Sequence, residues 1–341
     1  MNSAELNRIA SAMVARGKGI LAADESTGTI QKRFDAIGVA NSEDNRRDYR
    51  ELLFRSEAAM RQYISGVILF DETLRQKAKD GTPLVELIER AGSIPGIKVD
   101  AGAKPLALCP GETVTEGLDG LGPRLVEYRK LGARFAKWRA VIDIAAGIPS
   151  RTAVHANAHA LARYAALCQE HDIVPIVEPE VLMDGDHDIA RCAEVTEFVL
   201  RQTFQELYAH RVMLEGMVLK PNMVIAGKKS AKQGSTEEVA ERTLAVLKRC
   251  VPAAVPGIAF LSGGQSDHEA TAHLNAMVEG STLPWALTFS YGRALQAAPQ
   301  KAWSGKADNT ARAQAAFAHR ARMNGLASKG EWRAELEKEA A

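Results

Sequence analysis

The sequence IVPIVEPE at residues 173–180 is an apolar, β-branched run with two glutamates near its end. Such a run, when polar residues bound it, is typical of a β-strand that is buried on both faces in a parallel sheet. The sequence predicts eight strands of this type, at residues 20–24, 66–70, 96–100, 134–141, 173–178, 216–220, 257–262 and 285–290.

Segments with helical periodicity lie between these strands, and the clearest are 42–63, 153–170, 188–209 and 235–251. Ser235 and Glu238 have the spacing of a capping box at the start of the last of them. Strands and helices that alternate eight times favour the α/β class, as a single (β/α)8 TIM barrel with extra N- and C-terminal helices. A doubly wound open sheet or two smaller domains are the alternatives.

The barrel is expected to occupy residues 1–328, without an internal linker. The Ala-rich, charged sequence after Ala298 predicts a helix outside the barrel, and residues 329–341 predict a short mobile tail. The net charge is +1, from 43 basic and 42 acidic residues, so any positive site must be local and no nucleic-acid or membrane partner is expected. The four cysteines have no CxxC spacing, which favours reduced thiols in a cytoplasmic protein.

Charged and hydroxyl side chains collect where the predicted strands end, and a barrel carries its active site at that end. Residues two apart on a strand point the same way, so paired charges here must neutralise one another or bind a ligand. Each side chain alone could be a solvated strand end, but the set indicates an active site; its members are Asp24, Lys98, Asp100, Lys137, Arg139, Glu178, Glu180, Lys220, Ser262 and Ser290.

Lys220 follows an apolar run and precedes a proline. A free lysine amine can attack a ketone to give an iminium ion, which is an electron sink for cleavage of the neighbouring carbon–carbon bond. On chemistry alone, Lys98 and Lys137 compete for this role. Glu178 is a candidate proton shuttle and Asp24 a candidate partner of the reacting hydroxyl, although both could be structural ion-pair partners.

Two glycine-containing turns, LSGGQ at 261–265 and SYGR at 290–293, follow the seventh and eighth strands, where barrels commonly bind phosphate. Lys98, Arg139 and the turn at 26–29 form a second cationic, hydroxyl-rich patch. Two phosphate patches with an amine between them predict a bisphosphorylated keto sugar as the ligand. The run DGDHD at 184–188 lacks the later glutamate of a calcium loop and predicts a structural loop, so no metal or other cofactor is expected.

Over about residues 4–328 the chain resembles the class I fructose-1,6-bisphosphate aldolases, which form a lysine Schiff base. The motifs that carry the resemblance are GKGILAADESTG at 17–28, GIKVD at 96–100, FAKWR at 135–139, IVPIVEPE at 173–180, DGDHD at 184–188, LEGMVLKPNMV at 214–224, FLSGGQS at 260–266 and PWALTFSYGRALQ at 284–296.

The resemblance implies that Lys220 forms the Schiff base, that Glu178 is the acid/base and that Asp24 assists at the C4 hydroxyl. Lys137 and Glu180 complete the implied catalytic set. The implied phosphate contacts of the dihydroxyacetone half are Ser262, Gly263, Gly264, Ser290, Gly292 and Arg293, and those of the other half are Ser26, Thr29, Arg33, Lys98 and Arg139. Thr29 stands where the animal proteins usually have serine.

The activity that the resemblance implies is reversible cleavage of fructose 1,6-bisphosphate to dihydroxyacetone phosphate and glyceraldehyde 3-phosphate, without a metal, by a cytoplasmic homotetramer. A related Schiff-base barrel such as a transaldolase, or a non-catalytic binding or scaffold protein, is the alternative. Family members of animals and plants end in a tyrosine that helps to exchange a proton on the enamine. No tyrosine follows Tyr291 here, so we expect Glu178, another group or water to exchange that proton.

Overall fold

The computed structural model describes residues 1–339, and in it eight parallel strands form a closed barrel around which strand order follows chain order. Two further strands, β4 and β5, pair antiparallel outside the barrel. The strands are β1 Gly19–Ala23, β2 Ile64–Leu69, β3 Ile94–Lys98, β4 Ala103–Pro105, β5 Thr113–Thr115, β6 Phe135–Ile142, β7 Val174–Val181, β8 Val218–Leu219, β9 Gly257–Phe260 and β10 Ala286–Tyr291. The barrel prediction is confirmed and the open-sheet alternative is wrong, because β10 pairs with β1.

Helices fill the intervals between the strands and cover the outside of the barrel. They are α1 Ser3–Met13, α2 Thr27–Asp35, α3 Glu43–Phe54, α4 Glu57–Tyr63, α5 Asp71–Arg75, α6 Leu84–Arg90, α7 Leu121–Lys130, α8 Arg151–Glu170, α9 Ile189–Ala209, α10 Thr236–Cys250, α11 Asp267–Val278, α12 Arg293–Trp303 and α13 Thr310–Ala327. Short 3₁₀ turns occupy Leu214–Gly216, Ala307–Asn309 and Ala334–Glu339. Within residues 1–339, no helix is long and apolar enough to cross a membrane.

Three local predictions need correction. The helix expected at 42–63 is divided into α3 and α4, because Ser56 takes an N-cap conformation between them. Ser235 accepts a hydrogen bond from the Glu238 amide, but the Glu238 carboxylate binds Arg242, so the capping box is only half formed. The single helix expected after Ala298 is instead two helices. The first, α12, begins at Arg293, and a turn after Trp303 separates it from α13.

The C-terminal segment folds back on the barrel. The Trp332 amide donates to Asn275 Oδ1 at 2.9 Å, and its indole Nε1 donates to Glu337 Oε1 at 3.0 Å. Glu337 also accepts from the buried guanidinium of Arg320 at 2.5 Å. The mobility expected of residues 329–341 stays a prediction, and residues 340 and 341 lie outside the described part of the chain.

The lower end of the barrel, where the strands begin, is filled with apolar side chains and is closed by α1. Leu6, Ile9 and Met13 of that helix pack against interior strand residues in a cluster that contains Phe135 and Ile176. A barrel interior is a packed core rather than a pore. Within the barrel interior, the buried charges of Asp24, Lys137, Glu178 and Lys220 therefore lie at the upper end, where the strands finish.

Gly96 lies against the ring of Phe135 on the neighbouring strand. A Cβ atom at Gly96 would lie 2.2 Å from Phe135 Cε2, and the ring has little room to move within the filled barrel. We therefore expect Gly96→Ala to lower the free energy of unfolding by about 3 kcal/mol or more, since overpacking a core is costly.

Urea unfolding measures this loss. Gly28→Ala is the matched control, because its Cβ would meet no atom within 4 Å and its helix gains from alanine. Equal stabilities of the two variants would contradict the proposed clash.

Candidate active site

The upper end of the barrel holds a cavity of about 480 Å³. Every residue that the sequence analysis assigned to the site lines this cavity. They are Asp24, Ser26, Thr29, Arg33, Lys98, Asp100, Lys137, Arg139, Glu178, Glu180, Lys220, Ser262, Gly263, Gly264, Ser290, Gly292 and Arg293. The structure therefore brings the predicted set together, while the role of each residue stays a prediction.

A chain of alternating charges crosses the cavity floor. Lys220 Nζ lies 3.1 Å from Glu178 Oε1, and Glu178 Oε2 lies 3.5 Å from Lys137 Nζ. Lys137 Nζ also lies 2.7 Å from Asp24 Oδ2. Three of the four side chains are at most 5% exposed and Asp24 is 12% exposed, so each charge has lost most of its water and depends on its neighbours.

Strand geometry produces this chain. Lys220 follows the two-residue strand β8, shorter than the predicted 216–220, but its amide still donates to Val177 O at 2.8 Å. On β6, Lys137 and Arg139 are two residues apart, and both side chains enter the cavity. On β7, Glu178 lies opposite Arg139 in the parallel register. The expected pairing of faces is thus confirmed.

The buried cations shift the protonation of their partners. Burial alone would raise the pKa of Asp24, but the charges of Lys137, Lys220 and Lys98 lower it to about 2. Burial alone would lower the pKa of Lys137, but Asp24, Glu178 and Asp100 raise it above the ordinary lysine range. Asp24 is therefore an anion and Lys137 a cation at neutral pH.

One cationic patch surrounds the turns after β9 and β10. Gly263 has a left-handed φ of 52°, which suits glycine and turns the chain at this point. Arg293 begins α12 and its guanidinium donates to Gly263 O, so the two turns contact each other. Ser290 is buried, and its Oγ has no hydrogen-bond partner in the described chain. An unpaired buried hydroxyl in a cavity is available to a ligand.

A second patch lies beside the start of α2. Ser26 Oγ and Thr29 Oγ1 are 3.2 Å apart, and Ser26 caps the helix without a side-chain hydrogen bond to it. Lys98 Nζ pairs with Asp100 Oδ1 at 3.1 Å, and Arg139 pairs with Glu180. Both cations are thus held by carboxylates at the cavity wall.

Arg33 was grouped with this second patch, but the structure places it beside the first as well. Its Nη2 would lie 3.4 Å from a Cβ atom on Gly292. An ion pair with Glu25 holds the guanidinium there. Arg33 can therefore contact a phosphate bound at the turn that contains Gly292.

Comparisons with known proteins agree on one family. A family model described as class I fructose-bisphosphate aldolase matches residues 5–341. A protein of Xanthomonas campestris pv. campestris, described as a probable fructose-bisphosphate aldolase class 1, is 60% identical over 334 residues, or 98% of this chain and 100% of that protein. Fructose-bisphosphate aldolase 6, cytosolic, of Arabidopsis thaliana is 57% identical over 318 residues, or 93% and 88% of the two chains.

A solved structure shows the same architecture. The fructose-bisphosphate aldolase of Plasmodium falciparum, in complex with TRAP and a small-molecule inhibitor, matches with a TM-score of 0.95 and 49% identity over 97% of this chain and 96% of that one. The chain belongs to the class I fructose-bisphosphate aldolases. It is therefore a lyase of glycolysis, and the resemblance seen in the sequence is confirmed.

The sequence analysis missed several residues that shape the site of this aldolase. Glu25 is buried and binds the guanidinium groups of Arg33 and Arg50 and the amide of Gln296, so it fixes one wall of the cavity. The distant partner Arg50 gave no local signal.

The loop after β7 contributes a second group that the sequence did not assign. Met183 Sδ accepts a hydrogen bond from the Gly264 amide at 2.9 Å, and Lys228 Nζ pairs with Asp184 Oδ1 at 2.9 Å over the same glycine turn. In the run DGDHD, Asp188 caps α9 by accepting from the Arg191 amide at 2.7 Å. These contacts support the prediction that this run is a structural loop.

The low pKa of Asp24 predicts how the free energy of unfolding changes at acidic pH. A folded pKa of about 2, against an ordinary value of 3.8, means that the ionised group stabilises the fold fully above about pH 4. That stabilisation is lost as the pH falls through 2. We expect the stability difference between the wild type and Asp24→Asn to narrow by about 1 kcal/mol from pH 6 to pH 3, and by about 2 kcal/mol in total.

Urea unfolding at a series of pH values measures this difference. Asp119→Asn is the control, because Asp119 is exposed. The free energies of unfolding of the wild type and Asp24→Asn could instead differ by the same amount at pH 6 and at pH 3. That result would show that the pKa of Asp24 is not lowered in the folded state.

Proposed function

We propose that the chain reversibly cleaves fructose 1,6-bisphosphate into dihydroxyacetone phosphate and glyceraldehyde 3-phosphate through a Schiff base on Lys220. The observation that carries the proposal is the 3.1 Å contact between Lys220 Nζ and Glu178 Oε1 on the floor of a cavity with two cationic patches. The contact couples an amine to a proton acceptor. The patches suit a substrate with a phosphate at each end.

Schiff-base formation needs two proton transfers that Glu178 is placed to make. The carboxylate takes a proton from Lys220, and the free amine then forms a bond to the C2 carbonyl carbon. The resulting carbinolamine loses its hydroxyl group as water when Glu178 returns a proton to it. The product is an iminium ion, which withdraws electrons from the adjacent C3–C4 bond.

Cleavage then requires removal of the proton from the C4 hydroxyl. As the C3–C4 bond breaks, its electrons reduce the iminium to an enamine and glyceraldehyde 3-phosphate leaves. A carboxylate with a pKa of about 2 is a weak base, so we assign to Asp24 the orientation of the hydroxyl and to Glu178 the final uptake of the proton. Lys137, 2.7 Å from Asp24, stabilises the negative charge that develops on the oxygen.

The two patches fix the ends of the substrate. We assign the phosphate of the dihydroxyacetone half to the turns around Gly263 and Gly292, with the unpaired hydroxyl of Ser290. The other phosphate is assigned to Ser26, Thr29, Lys98 and Arg139. Holding both ends positions C2 over Lys220, which converts binding energy into orientation of the reacting atoms.

Borohydride trapping tests the assignment of Lys220. We expect dihydroxyacetone phosphate and borohydride to inactivate the wild type and to leave one reduced adduct on Lys220, located by peptide mass mapping. Lys220→Arg should form no adduct and should lose activity by at least about 10⁴-fold, because arginine cannot form the imine.

Lys229→Arg is the matched control, because it makes the same change at an exposed lysine that does not line the cavity. It should retain both the adduct and the activity. An adduct on Lys98 or Lys137 would refute the assignment. An adduct on Lys220 without cleavage of fructose 1,6-bisphosphate would instead support a binding protein.

We further propose that the enzyme is a homotetramer and acts in the cytoplasm. The family resemblance supports the first proposal. A relative described as cytosolic and the four unpaired thiols support the second. Sedimentation velocity at micromolar concentration should give the mass of four chains, whereas a monomer would contradict the proposed assembly.

A further inference from the structure

Three histidines and a glutamate meet on the outside of the barrel, where α8 packs against α9. His155 and His159 are four residues apart on α8. Glu206 lies on α9, and His210, four residues later, is its C-cap. Helix residues four apart share a face, so each pair presents both side chains to the same side. We call these four residues the outer histidine cluster.

The four side chains converge on one carboxylate. Glu206 Oε2 lies 3.3 Å from His159 Nδ1 and 3.7 Å from His210 Nδ1, and Glu206 Oε1 lies 3.4 Å from His155 Nδ1. One possible ligand atom from each of His159, Glu206 and His210 lies within 4.8 Å of the others. Zinc bonds of about 2.0–2.1 Å in a tetrahedron separate the donor atoms by about 3.3 Å, so small side-chain rotations bring these atoms to coordinating distance.

The cluster is anchored at its centre and open at its edge. The Glu206 side chain is 12% exposed, whereas those of His159 and His155 are 45% and 62% exposed. His210 Nδ1 donates to the backbone oxygen of Glu206 at 2.9 Å, a contact that orients the ring as second-shell hydrogen bonds orient metal-bound histidines and leaves Nε2 as the nitrogen that can bind an ion. An ion can therefore enter from solvent and meet a carboxylate that is already in place.

We propose that the outer histidine cluster binds one divalent transition-metal ion, for which Zn²⁺ is the best match, through His159, Glu206 and His210. His155 or a water molecule supplies the fourth ligand. Imidazole nitrogen with a single carboxylate suits zinc, copper or nickel, whereas calcium and magnesium need oxygen ligands. No metal ligand was predicted from the sequence, although the HxxxH spacing of His155 and His159 is a signal for one.

The proposed ion has a structural role, because the cluster is not part of the cavity lining. It links α8, which follows the strand that carries Lys137, to α9, which follows the strand that carries Glu178. An ion that binds only the folded chain stabilises it in proportion to its concentration. The alternative is that Glu206 only shares hydrogen bonds with three imidazoles and takes up no ion.

Metal titration of the intact chain distinguishes these two possibilities. The untagged protein is stripped with EDTA, filtered and titrated with Zn²⁺ by calorimetry and with Co²⁺ by visible absorption. We expect one ion per chain, micromolar or tighter affinity, and the intense Co²⁺ bands of a tetrahedral nitrogen–oxygen site. Zn²⁺ should raise the midpoint of thermal unfolding of the wild type.

Variants assign the site. His159→Ala and His210→Ala should each weaken Zn²⁺ binding by about tenfold or more and abolish the thermal shift, and Glu206→Gln, which keeps the side-chain volume, should also weaken binding. His171→Ala is the matched control, because His171 caps α8 but lies outside the cluster, and it should bind as the wild type does. Unfolding in EDTA checks that each variant is folded.

Two results would overturn the proposal. One is a wild type that takes up no Zn²⁺ or Co²⁺ at concentrations up to the millimolar range. The other is uptake that His159→Ala, His210→Ala and Glu206→Gln all leave unchanged, which would place the ion elsewhere, for example on the thiols. The rate of fructose 1,6-bisphosphate cleavage should be the same in EDTA and in Zn²⁺. The outcome of the metal titration is therefore independent of whether the proposed reaction is correct.

Discussion

The site depends on one electrostatic constraint, which is that two lysines and two carboxylates must neutralise one another in the mouth of a filled barrel. Lys220, Glu178, Lys137 and Asp24 alternate in charge, with contacts of 2.7 to 3.5 Å. An isolated charge at this depth would be strongly destabilising, but an alternating series leaves none of them unpaired. Removal of any one member leaves its neighbour without an ion-pair partner, so the stability of the fold and the proposed chemistry depend on the same four side chains.

The packed floor below makes this arrangement rigid. Phe135 fills the interior between strands that carry glycine at positions 66 and 96, and α1 closes the lower end. Water therefore has no route to the charges from below. The packed interior fixes the strands. Lys137 and Arg139 on β6, and Glu178 and Glu180 on β7, are each two residues apart, so the strands alone place both charged pairs in the cavity. Precision in the site is a consequence of core packing.

The sequence was sufficient to predict the barrel and the side chains that line its cavity, but not every contact among them. Apolar runs identified all eight barrel strands, and the charged and hydroxyl side chains predicted near their ends line one cavity. Periodicity did not show the break at Ser56, since both helices bury a similar stripe. The partners Arg50 and Lys228 were missed because their contacts with Glu25 and Asp184 join segments far apart in sequence.

The cluster in the cavity and the outer histidine cluster differ in a way that accounts for the different chemistry proposed for each. In the cavity, carboxylates alternate with lysines at distances of 2.7 to 3.5 Å, so each acid or base has a partner of opposite charge beside it. On the outer surface, nitrogen atoms of three imidazoles lie within 3.7 Å of the single carboxylate of Glu206. A series of acids and bases moves protons, whereas convergent lone pairs favour a single cation. Proton transfer is therefore the role proposed for the cavity, and binding of a stabilising ion is the role proposed for the outer surface of α8 and α9.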